Sequence, residues 1–441
     1  MFYNKTIETL PTAHLRKLQN ERLQKLLRRV YQKVPFYKKQ FDENGIRPQD
    51  IKGVEDLHKL PFTKKDDLRD NYPFSMFAVP VEEVVRIHAS SGTTGKPTVV
   101  GYTKNDLDMF DEVVARSLVC AGARPGMKLH NAYGYGLFTG GLGMHGGATK
   151  LGMAVIPVSG GMTDRQLMIL QDFAPEVICC TPSYAQTLAE EMKKRGIPKE
   201  AINLKYAILG AEPWTETIRQ QVEKGLDVNA TNIYGLSEII GPGVSQEDFG
   251  EKGRGSYIWE DHFFPEVVDR DTGEPLPQGE EGVLVFTTLT KEAFPLIRYW
   301  TNDICSIFYD KNAKRTHIKM SAIKGRADDM LIIRGVNLFH TQVEVLLKDF
   351  AGLAPNYQLT VTREGTMDEV KLDVEVEKEI SDELGGGGFG GHGTVVSLAK
   401  RLQKKVKDNT GISMKVELKE YGQIPRSKGG KLSRVRDLRA L

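Results

Sequence analysis

Short apolar runs alternate with amphipathic helical patterns in the first half of the chain, and this alternation constrains the fold more than any other feature. Val177–Cys180 is one such run, and a helical pattern follows it over Pro182–Lys194. Met153–Pro157 precedes a second helical pattern, Asp164–Phe173. Strands that alternate with helices pack as parallel sheets with helices on both faces. We therefore predict an α/β fold whose large N-terminal domain contains doubly wound sheets.

The second half of the chain predicts two further structures. Asp269–Gly273 has turn composition and lies between strand-like runs, the second being Val283–Phe286, which indicates an antiparallel β subdomain that closes the large domain. After Gly325 the pattern is helix, strand, strand, helix, strand, which is typical of a small α+β domain. We predict domain bounds of 1–326 and 327–441.

The composition favours small-molecule chemistry. Sixty Lys and Arg residues face 58 Asp and Glu, so the net charge of +2 creates no strong attraction to nucleic acid or to an anionic membrane. No apolar run approaches the roughly 20 residues that cross a bilayer, and the first residues lack a signal-peptide pattern. We expect a cytoplasmic protein in which the basic helix Leu15–Tyr37 packs on a core rather than on a membrane.

The four cysteines predict neither disulfides nor zinc. Their spacing contains no C-x-x-C pair, and their number is too small for a disulfide scaffold. We expect reduced thiols packed as small apolar groups: Cys120, Cys179, Cys180 and Cys305.

A polar glycine-rich segment after a predicted strand suits the binding of phosphates. Its small residues let backbone N–H groups approach an anion, hydroxyls add donors and a lysine adds charge. It is not a Walker A loop, because Ser90 and Pro97 occupy positions that this motif reserves for Gly and for Ser or Thr. By itself the segment is equally compatible with a solvated β-turn. Its residues are Ser90, Ser91, Gly92, Thr93, Thr94, Gly95 and Lys96.

Together with four other motifs, this segment resembles the adenylate-forming (acyl-CoA synthetase) superfamily. Tyr234–Glu238 is similar to the Tyr-Gly-x-Thr-Glu signature of that superfamily, and Tyr299–Asp303 to its aspartate motif. Gly325–Asn337 resembles its hinge segment, and Ile424–Lys431 its terminal lysine motif. The five motifs occur in the order of the superfamily across residues 90–431, which is far more specific than any one of them.

The resemblance implies that ATP, Mg²⁺ and coenzyme A are bound. It implies that Glu238 holds the metal and acts in catalysis, and that the Asp303 carboxylate accepts hydrogen bonds from the ribose hydroxyls, joined there by Arg326. Lys431 is the implied catalytic lysine, although Lys428 lies three residues away and the assignment rests on spacing. Asp328 is the implied hinge of a mobile C-terminal domain. The remaining nucleotide-binding residues that it implies are Gly210, Ala211, Glu212, Pro213, Tyr234, Gly235 and Ser237.

Other segments narrow the resemblance to the phenylacetate-CoA ligases. They include Asn131–Gly143, Gly210–Trp214 and Trp259–His262. The implied reaction converts phenylacetate, or a closely related aryl or arylacetic acid, to its CoA thioester through an acyl adenylate and releases AMP and pyrophosphate. The implied protein is a homodimer. A flat apolar slot suits the aromatic acid, and the residues placed at its wall and floor are Tyr135, Phe138, Gly210, Ala211 and Pro213.

Two alternatives stay open on the sequence. One is an adenylating enzyme that loads a carrier-protein thiol, because both acceptors present the same thiol arm. The other is a non-catalytic nucleotide-binding regulator, against which the retained Glu238, Asp303 and Lys431 argue. Gly141–Gly146 satisfies G-x-G-x-x-G formally, but no strand leads into it and we discount it as a dinucleotide site.

Overall fold

The chain divides into two compact units. The computed structural model describes residues 1–90, 97–327, 331–333, 336–338, 340–348, 350–364, 367–384, 389–426 and 434–439. Of these, Met1–Ala211 and Val222–Ile323 belong to the first unit. Glu212–Gln221 and the residues from Lys324 onward belong to the second.

A nine-stranded mixed sheet forms the centre of the first unit, in the order β13-β14-β9-β8-β7-β6-β5-β3-β4. Its strands are β3 Lys128–Asn131, β4 Ala154–Ile156, β5 Val177–Cys180, β6 Tyr206–Gly210, β7 Asn229–Leu236, β8 Gly241–Glu247, β9 Ser256–Ile258, β13 Ile307–Phe308 and β14 Lys319–Met320. Strands β4, β3, β5, β6 and β7 pair in parallel. The pairs from β7 to β13 are antiparallel. The parallel half confirms the α/β prediction.

Two smaller antiparallel arrangements complete the strands of the first unit. Strands β10 Phe263–Val268, β11 Gly282–Thr288 and β12 Tyr299–Cys305 pair in that order, which confirms the predicted antiparallel subdomain. Strands β1 Arg86–Ala89 and β2 Val99–Tyr102 form a hairpin. The sequence pattern predicted strand, turn and helix here and missed β2. The apolar run after Pro97 folds back on β1, so the polar segment connects two strands before the helix begins.

The helices of the first unit follow the predicted alternation. They are α1 Lys5–Glu8, α2 Thr12–Lys33, α3 Pro35–Glu43, α4 Lys65–Asp70, α5 Lys104–Cys120, α6 Thr139–Leu151, α7 Thr163–Asp172 and α8 Pro182–Lys194, while α9 Glu216–Leu226 begins in the second unit and ends in the first. Short 3₁₀ helices lie at Pro48–Asp50, Val54–Lys59, Val81–Glu83 and Lys199–Ala201.

Several details of these helices test the sequence interpretation. Helix α2 ends at Lys33, before the predicted Tyr37, because Pro35 starts a new helix. Its apolar side is buried, which confirms core packing. The glycines of the discounted G-x-G-x-x-G lie inside α6, where a Cβ on Gly143 would approach the Phe110 ring to 2.3 Å, so this glycine permits close packing of α6 on α5. All four cysteines are free and buried, as expected.

The second unit is a small α+β structure with its own apolar core. Its strands are β15 Gly325–Arg326, β16 Leu331–Ile333, β17 Val336–Leu338, β18 Leu353–Glu364, β19 Met367–Val376, β20 Lys415–Lys419 and β21 Val435–Asp437. Its helices are α10 His340–Lys348, α11 Lys378–Leu384 and α12 Gly393–Thr410, with a 3₁₀ turn at Phe389–Gly391. Strands β20-β19-β18-β21 form one sheet. In the part of the chain that the structure describes, none of the helices is both long and apolar enough to span a bilayer.

Candidate active site

The carboxyl ends of β3, β6 and β7 bring several predicted site residues to one edge of the central sheet. Strands β6 and β7 are in parallel register at Gly210 and Ile233, so both end on the same side. Loops at this edge of an open α/β sheet form the usual crevice for ligands. The segment after β3 contains Tyr135 and Phe138, Ala211 follows β6, and Ser237 and Glu238 follow β7.

Two glycines at this edge allow backbones to approach closely. A Cβ on Gly210 would lie 2.2 Å from the carbonyl oxygen of Ile233, and one on Gly235 would lie 1.9 Å from that of Gly241. Any side chain at either position would therefore displace backbone. Ala211 adopts a left-handed φ of 72°, which a residue with a Cβ rarely adopts and which indicates a constrained turn after β6.

The turn that carries Glu238 is fixed by three side chains. Thr139 Oγ1 lies 3.1 Å from Ser237 Oγ, within hydrogen-bond distance. Lys291 Nζ donates to the main-chain oxygen of Glu238 at 3.1 Å. The Tyr102 hydroxyl donates to the main-chain oxygen of Ile240 at 2.7 Å. Glu238 is itself only 6% exposed.

Lys291 is an unusual cation, because it lies in the core next to this turn. It is 2% exposed, and its ammonium group lies 5.1 Å from the ring centroids of both Tyr102 and Phe294. Burial lowers the pKa of Lys291 to about 7, although the carboxylates of Asp106 and Glu238 act in the opposite direction. Sequence reasoning missed this residue, since nothing in its neighbourhood along the chain distinguishes it from a surface lysine.

Asp303 and Tyr234, predicted from separate motifs, are in direct contact. The Tyr234 hydroxyl donates to Asp303 Oδ2 at 2.6 Å, and the Tyr234 ring stacks on Phe286 with centroids 6.4 Å apart. The main-chain N–H of Asp303 donates to Thr301 Oγ1 at 3.0 Å. Asp303 is therefore oriented through both its side chain and its backbone.

The predicted acid-binding segment is held by polar partners that sequence reasoning missed. The Tyr135 hydroxyl accepts a hydrogen bond from Asn131 Nδ2 at 2.8 Å and lies 3.2 Å from His145 Nδ1. Burial raises the pKa of Tyr135 to about 12, so the phenol stays neutral. Phe138, by contrast, is 50% exposed, so its ring has not been packed into the core.

Strand β1, which leads into the predicted phosphate loop, is hydrogen-bonded to the predicted acid-binding segment. The main-chain N–H of Ala89 and the Nδ1 atom of His88 both lie 3.0 Å from the Leu137 oxygen. A carbonyl oxygen only accepts, so Nδ1 of His88 carries the proton. At the base of the loop, Ser90 and Thr98 exchange hydrogen bonds, from Ser90 N to Thr98 O at 2.9 Å and from Thr98 N to Ser90 Oγ at 3.2 Å.

Other predicted site residues belong to the second unit or lie outside the described residues. Glu212 and Pro213 follow Ala211 along the chain but are assigned to the second unit, and Arg326 lies half-buried in β15 of that unit. The remaining predicted positions lie outside the described residues: Ser91, Gly92, Thr93, Thr94, Gly95, Lys96, Asp328, Lys428 and Lys431.

Glu238 is the carboxylate that the sequence predicts to hold a metal ion. In the described ranges, no three His, Cys, Asp or Glu side chains are close enough together to hold a metal ion on their own. Mg²⁺ bound with a nucleotide commonly uses one or two carboxylates together with phosphate oxygens. A single carboxylate such as that of Glu238, together with the phosphate oxygens of a nucleotide, fits that mode of binding.

Two family models match the chain, and it is similar to curated proteins and to solved structures. Residues 12–289 match the family model described as AMP-binding enzyme, and residues 335–439 match the AMP-binding enzyme C-terminal domain. The chain is 62% identical to a phenylacetate-coenzyme A ligase from Thermus thermophilus, with 100% of both chains covered. It is 50% identical to one from Escherichia coli, covering 98% of this chain and 97% of the relative. Among solved structures, a 2-hydroxyisobutyryl-CoA ligase in complex with 2-HIB-AMP superposes with a TM-score of 0.91 at 27% identity, covering 99% of this chain and 92% of that chain.

Proposed function

Since the chain belongs to the AMP-binding enzyme family, and within it to the phenylacetate-coenzyme A ligases, we propose that it joins phenylacetate or a closely related aryl or arylacetic acid to coenzyme A. It is an AMP-forming acid–thiol ligase that uses ATP and proceeds through an acyl adenylate.

One observation supports the proposed site more than any other. Residues that were predicted from separate motifs for separate parts of the substrates meet at one edge of the central sheet. The acid-binding Tyr135, the turn at Ala211 and the metal-binding Glu238 follow three of its strands, and Tyr234 of β7 bonds to the ribose-binding Asp303. This clustering is what a reaction between a carboxylic acid and a nucleotide requires.

Activation of the acid is the chemical problem that the first half-reaction solves. A free carboxylate resists attack by thiols, because oxide would have to leave. In the proposed reaction, a carboxylate oxygen attacks the α-phosphorus of ATP and pyrophosphate departs in line, which forms a mixed anhydride. The Asp303 carboxylate accepts hydrogen bonds from the ribose hydroxyls, and Arg326 assists there. Ser237 orients the α-phosphate, and the loop from Ser90 to Lys96 cradles the leaving phosphates.

Glu238 would hold the Mg²⁺ ion, whose charge offsets that of the departing pyrophosphate. Lys431 would bridge the incoming carboxylate and the α-phosphate, which otherwise repel each other. A lysine on a glycine-rich turn of a separate domain can enter the site for one step and leave it for the next.

The second half-reaction transfers the acyl group to sulfur. The thiol of coenzyme A attacks the acyl carbon of the adenylate, and AMP leaves with the electrons of the cleaved C–O bond. We propose domains at 1–326 and 327–441, and that the second rotates about Asp328 to replace Lys431 by the thiol. The proposal extends to a homodimer that acts in the cytoplasm without a nucleic-acid or membrane partner. The family relationship and the net charge of +2 support this extension.

ATP–pyrophosphate exchange across a panel of aryl, arylacetic and alkyl acids tests the proposed substrate. We expect the fastest exchange with phenylacetate or a near relative, followed by thioester formation with free coenzyme A. Exchange without transfer to coenzyme A, combined with transfer to a phosphopantetheinylated carrier protein, would favour the carrier-loading alternative. No exchange with any acid would favour the non-catalytic regulator.

A further inference from the structure

The side chain of a buried lysine is hydrogen-bonded to the turn that carries Glu238. Lys291 is 2% exposed, and its Nζ atom donates to the Glu238 oxygen at 3.1 Å. Moving an ammonium group out of water costs free energy unless a polar partner binds it. A lysine at a purely apolar packing position would therefore destabilise the fold. The ring centroids of Tyr102 and Phe294 each lie 5.1 Å from Nζ. Among the described residues, the main-chain oxygen of Glu238 is the hydrogen-bond acceptor of Nζ.

The backbone that carries Lys291 is anchored on both sides. On one side, the N–H of Leu289 donates to the His262 oxygen at 2.8 Å, and Thr290 Oγ1 lies 2.7 Å from His262 Nδ1. On the other side, the Asp106 carboxylate accepts from the N–H of Glu292 at 2.6 Å and from that of Ala293 at 2.9 Å. Lys291 therefore projects from a fixed segment rather than from a flexible loop.

A second donor holds the other end of the same turn. The Tyr102 hydroxyl donates to the Ile240 oxygen at 2.7 Å, while Lys291 donates to the oxygen of Glu238. The N–H groups of Ile239 and Ile240 donate to the Leu236 oxygen, at 3.1 and 3.2 Å. The main chain from 238 to 240 is thus restrained at both ends. This restraint fixes the backbone position from which the Glu238 side chain extends.

From these contacts we infer that Lys291 is a positioning residue for adenylation: it holds the main chain of Glu238 so that the carboxyl group meets the metal–nucleotide complex. The inference rests on the metal-binding role proposed for Glu238. Lys291 does not touch the substrates, and it acts through the carbonyl that it binds.

Variants of the full-length protein test the inference. Lys291→Met removes the donor and keeps the aliphatic volume, whereas Lys291→Gln keeps an N–H donor without the charge. Lys319→Met is the matched control, because Lys319 is equally buried, pairs with Glu251 at 2.8 Å and lies 4.6 Å from the Tyr257 ring. Glu238→Gln is the reference for loss of the metal-binding carboxylate.

Two measurements separate positioning from general stability. The first is the Mg²⁺ concentration that gives half-maximal ATP–pyrophosphate exchange. The second is independent of activity: the rise in Tm that Mg²⁺ adds to that produced by ATP alone. We expect Lys291→Met to raise the half-maximal Mg²⁺ concentration by about tenfold or more and to abolish most of the additional rise in Tm. Lys291→Gln should recover part of both, and Lys319→Met should lower Tm without changing the Mg²⁺ requirement.

A Mg²⁺ requirement unchanged in Lys291→Met, or in Glu238→Gln, would overturn the inference. Exchange by the unmodified enzyme would still support the proposed function in that case, so the two failures are distinguishable. If Lys291→Met does not fold, Lys291→Gln and Tyr102→Phe decide the matter, since each weakens one end of the same turn. An unchanged Mg²⁺ requirement in both would equally overturn the inference.

Discussion

The hydroxyl of Tyr234 donates to Oδ2 of Asp303 at 2.6 Å, and this bond joins the central sheet to the antiparallel sheet of β10, β11 and β12. One residue comes from the strand that leads to Glu238, and the other is the carboxylate expected at the ribose. The bond therefore couples the metal-binding and ribose-binding parts of the proposed site.

Tyr234→Phe should weaken the binding of ATP. A hydrogen bond to a charged group contributes about 1.5 to 3 kcal/mol, so its loss leaves the Asp303 carboxylate less well oriented. We expect the KM for ATP to rise by roughly tenfold or more, with a smaller effect on the KM for the acid. Steady-state kinetics of adenylation measure both. Tyr309→Phe is the control, because its hydroxyl donates to Glu260 at 3.0 Å, outside the proposed site. Equal KM values for ATP in the two variants would contradict the role of Tyr234.

Gly235→Ala should damage both stability and adenylation. The added Cβ would lie 1.9 Å from the Gly241 oxygen, so β7 and β8 must separate next to the Glu238 turn. Overpacking of this kind costs about 1 to 3 kcal/mol. Denaturant unfolding and ATP–pyrophosphate exchange measure the two effects. Gly393→Ala is the control, because a Cβ there meets nothing within 4 Å. A Gly235→Ala enzyme with normal exchange would show that the turn tolerates displacement.

Lys431→Ala should abolish the first half-reaction and spare the second. Loss of one cation at the reacting phosphate typically lowers the rate by about 10²- to 10³-fold, whereas thioester formation from supplied acyl adenylate does not need this lysine. Separate assays of the two half-reactions decide the matter. Lys428→Ala is the matched control, and the reverse result in the two variants would transfer the role to Lys428. Equal loss of both half-reactions in Lys431→Ala would contradict an exchange of lysine and thiol.

Asp328→Pro should have the opposite effect. Proline restricts φ to about −65°, so a hinge at this position could no longer rotate. We expect adenylation to continue and thioester formation from supplied acyl adenylate to fail. Asp328→Ala, which keeps the backbone free to rotate, is the control. Normal thioester formation in Asp328→Pro would place the hinge elsewhere.

Acidification should destabilise the first unit through His130. This side chain is 0% exposed at the end of β3, and burial lowers its pKa from 6.5 to about 4. The unfolded chain therefore binds a proton that the folded chain excludes, and stability falls as the pH drops from about 6.5 to about 4. The slope is at most about 1.4 kcal/mol per pH unit, or roughly 3 kcal/mol in total. Denaturant unfolding of the natural protein and of His130→Gln as a function of pH measures it. Parallel stability curves for the two proteins would show that His130 contributes nothing.

Local patterns determined much of the secondary structure. A strand and a helix have the predicted bounds, Val177–Cys180 and Pro182–Lys194. The apolar pattern of each is continuous and begins at a clear position in the sequence. Strand β2 was missed because its assignment depends on antiparallel pairing with β1, which lies earlier in the chain. A hydrophobic period within four residues does not record which partner a strand has.

For the candidate site too, the sequence predicted one part and only the tertiary structure decided the other. The order of five short motifs predicted which residue types serve the acid and the nucleotide, since such motifs are local in the chain. Only the tertiary structure decided that Tyr234 bonds to Asp303 and that Lys291 supports Glu238, because these residues are 69 and 53 positions apart. Whether a lysine lies in water or in the core depends on partners brought together by folding, and that information is distributed over the whole chain.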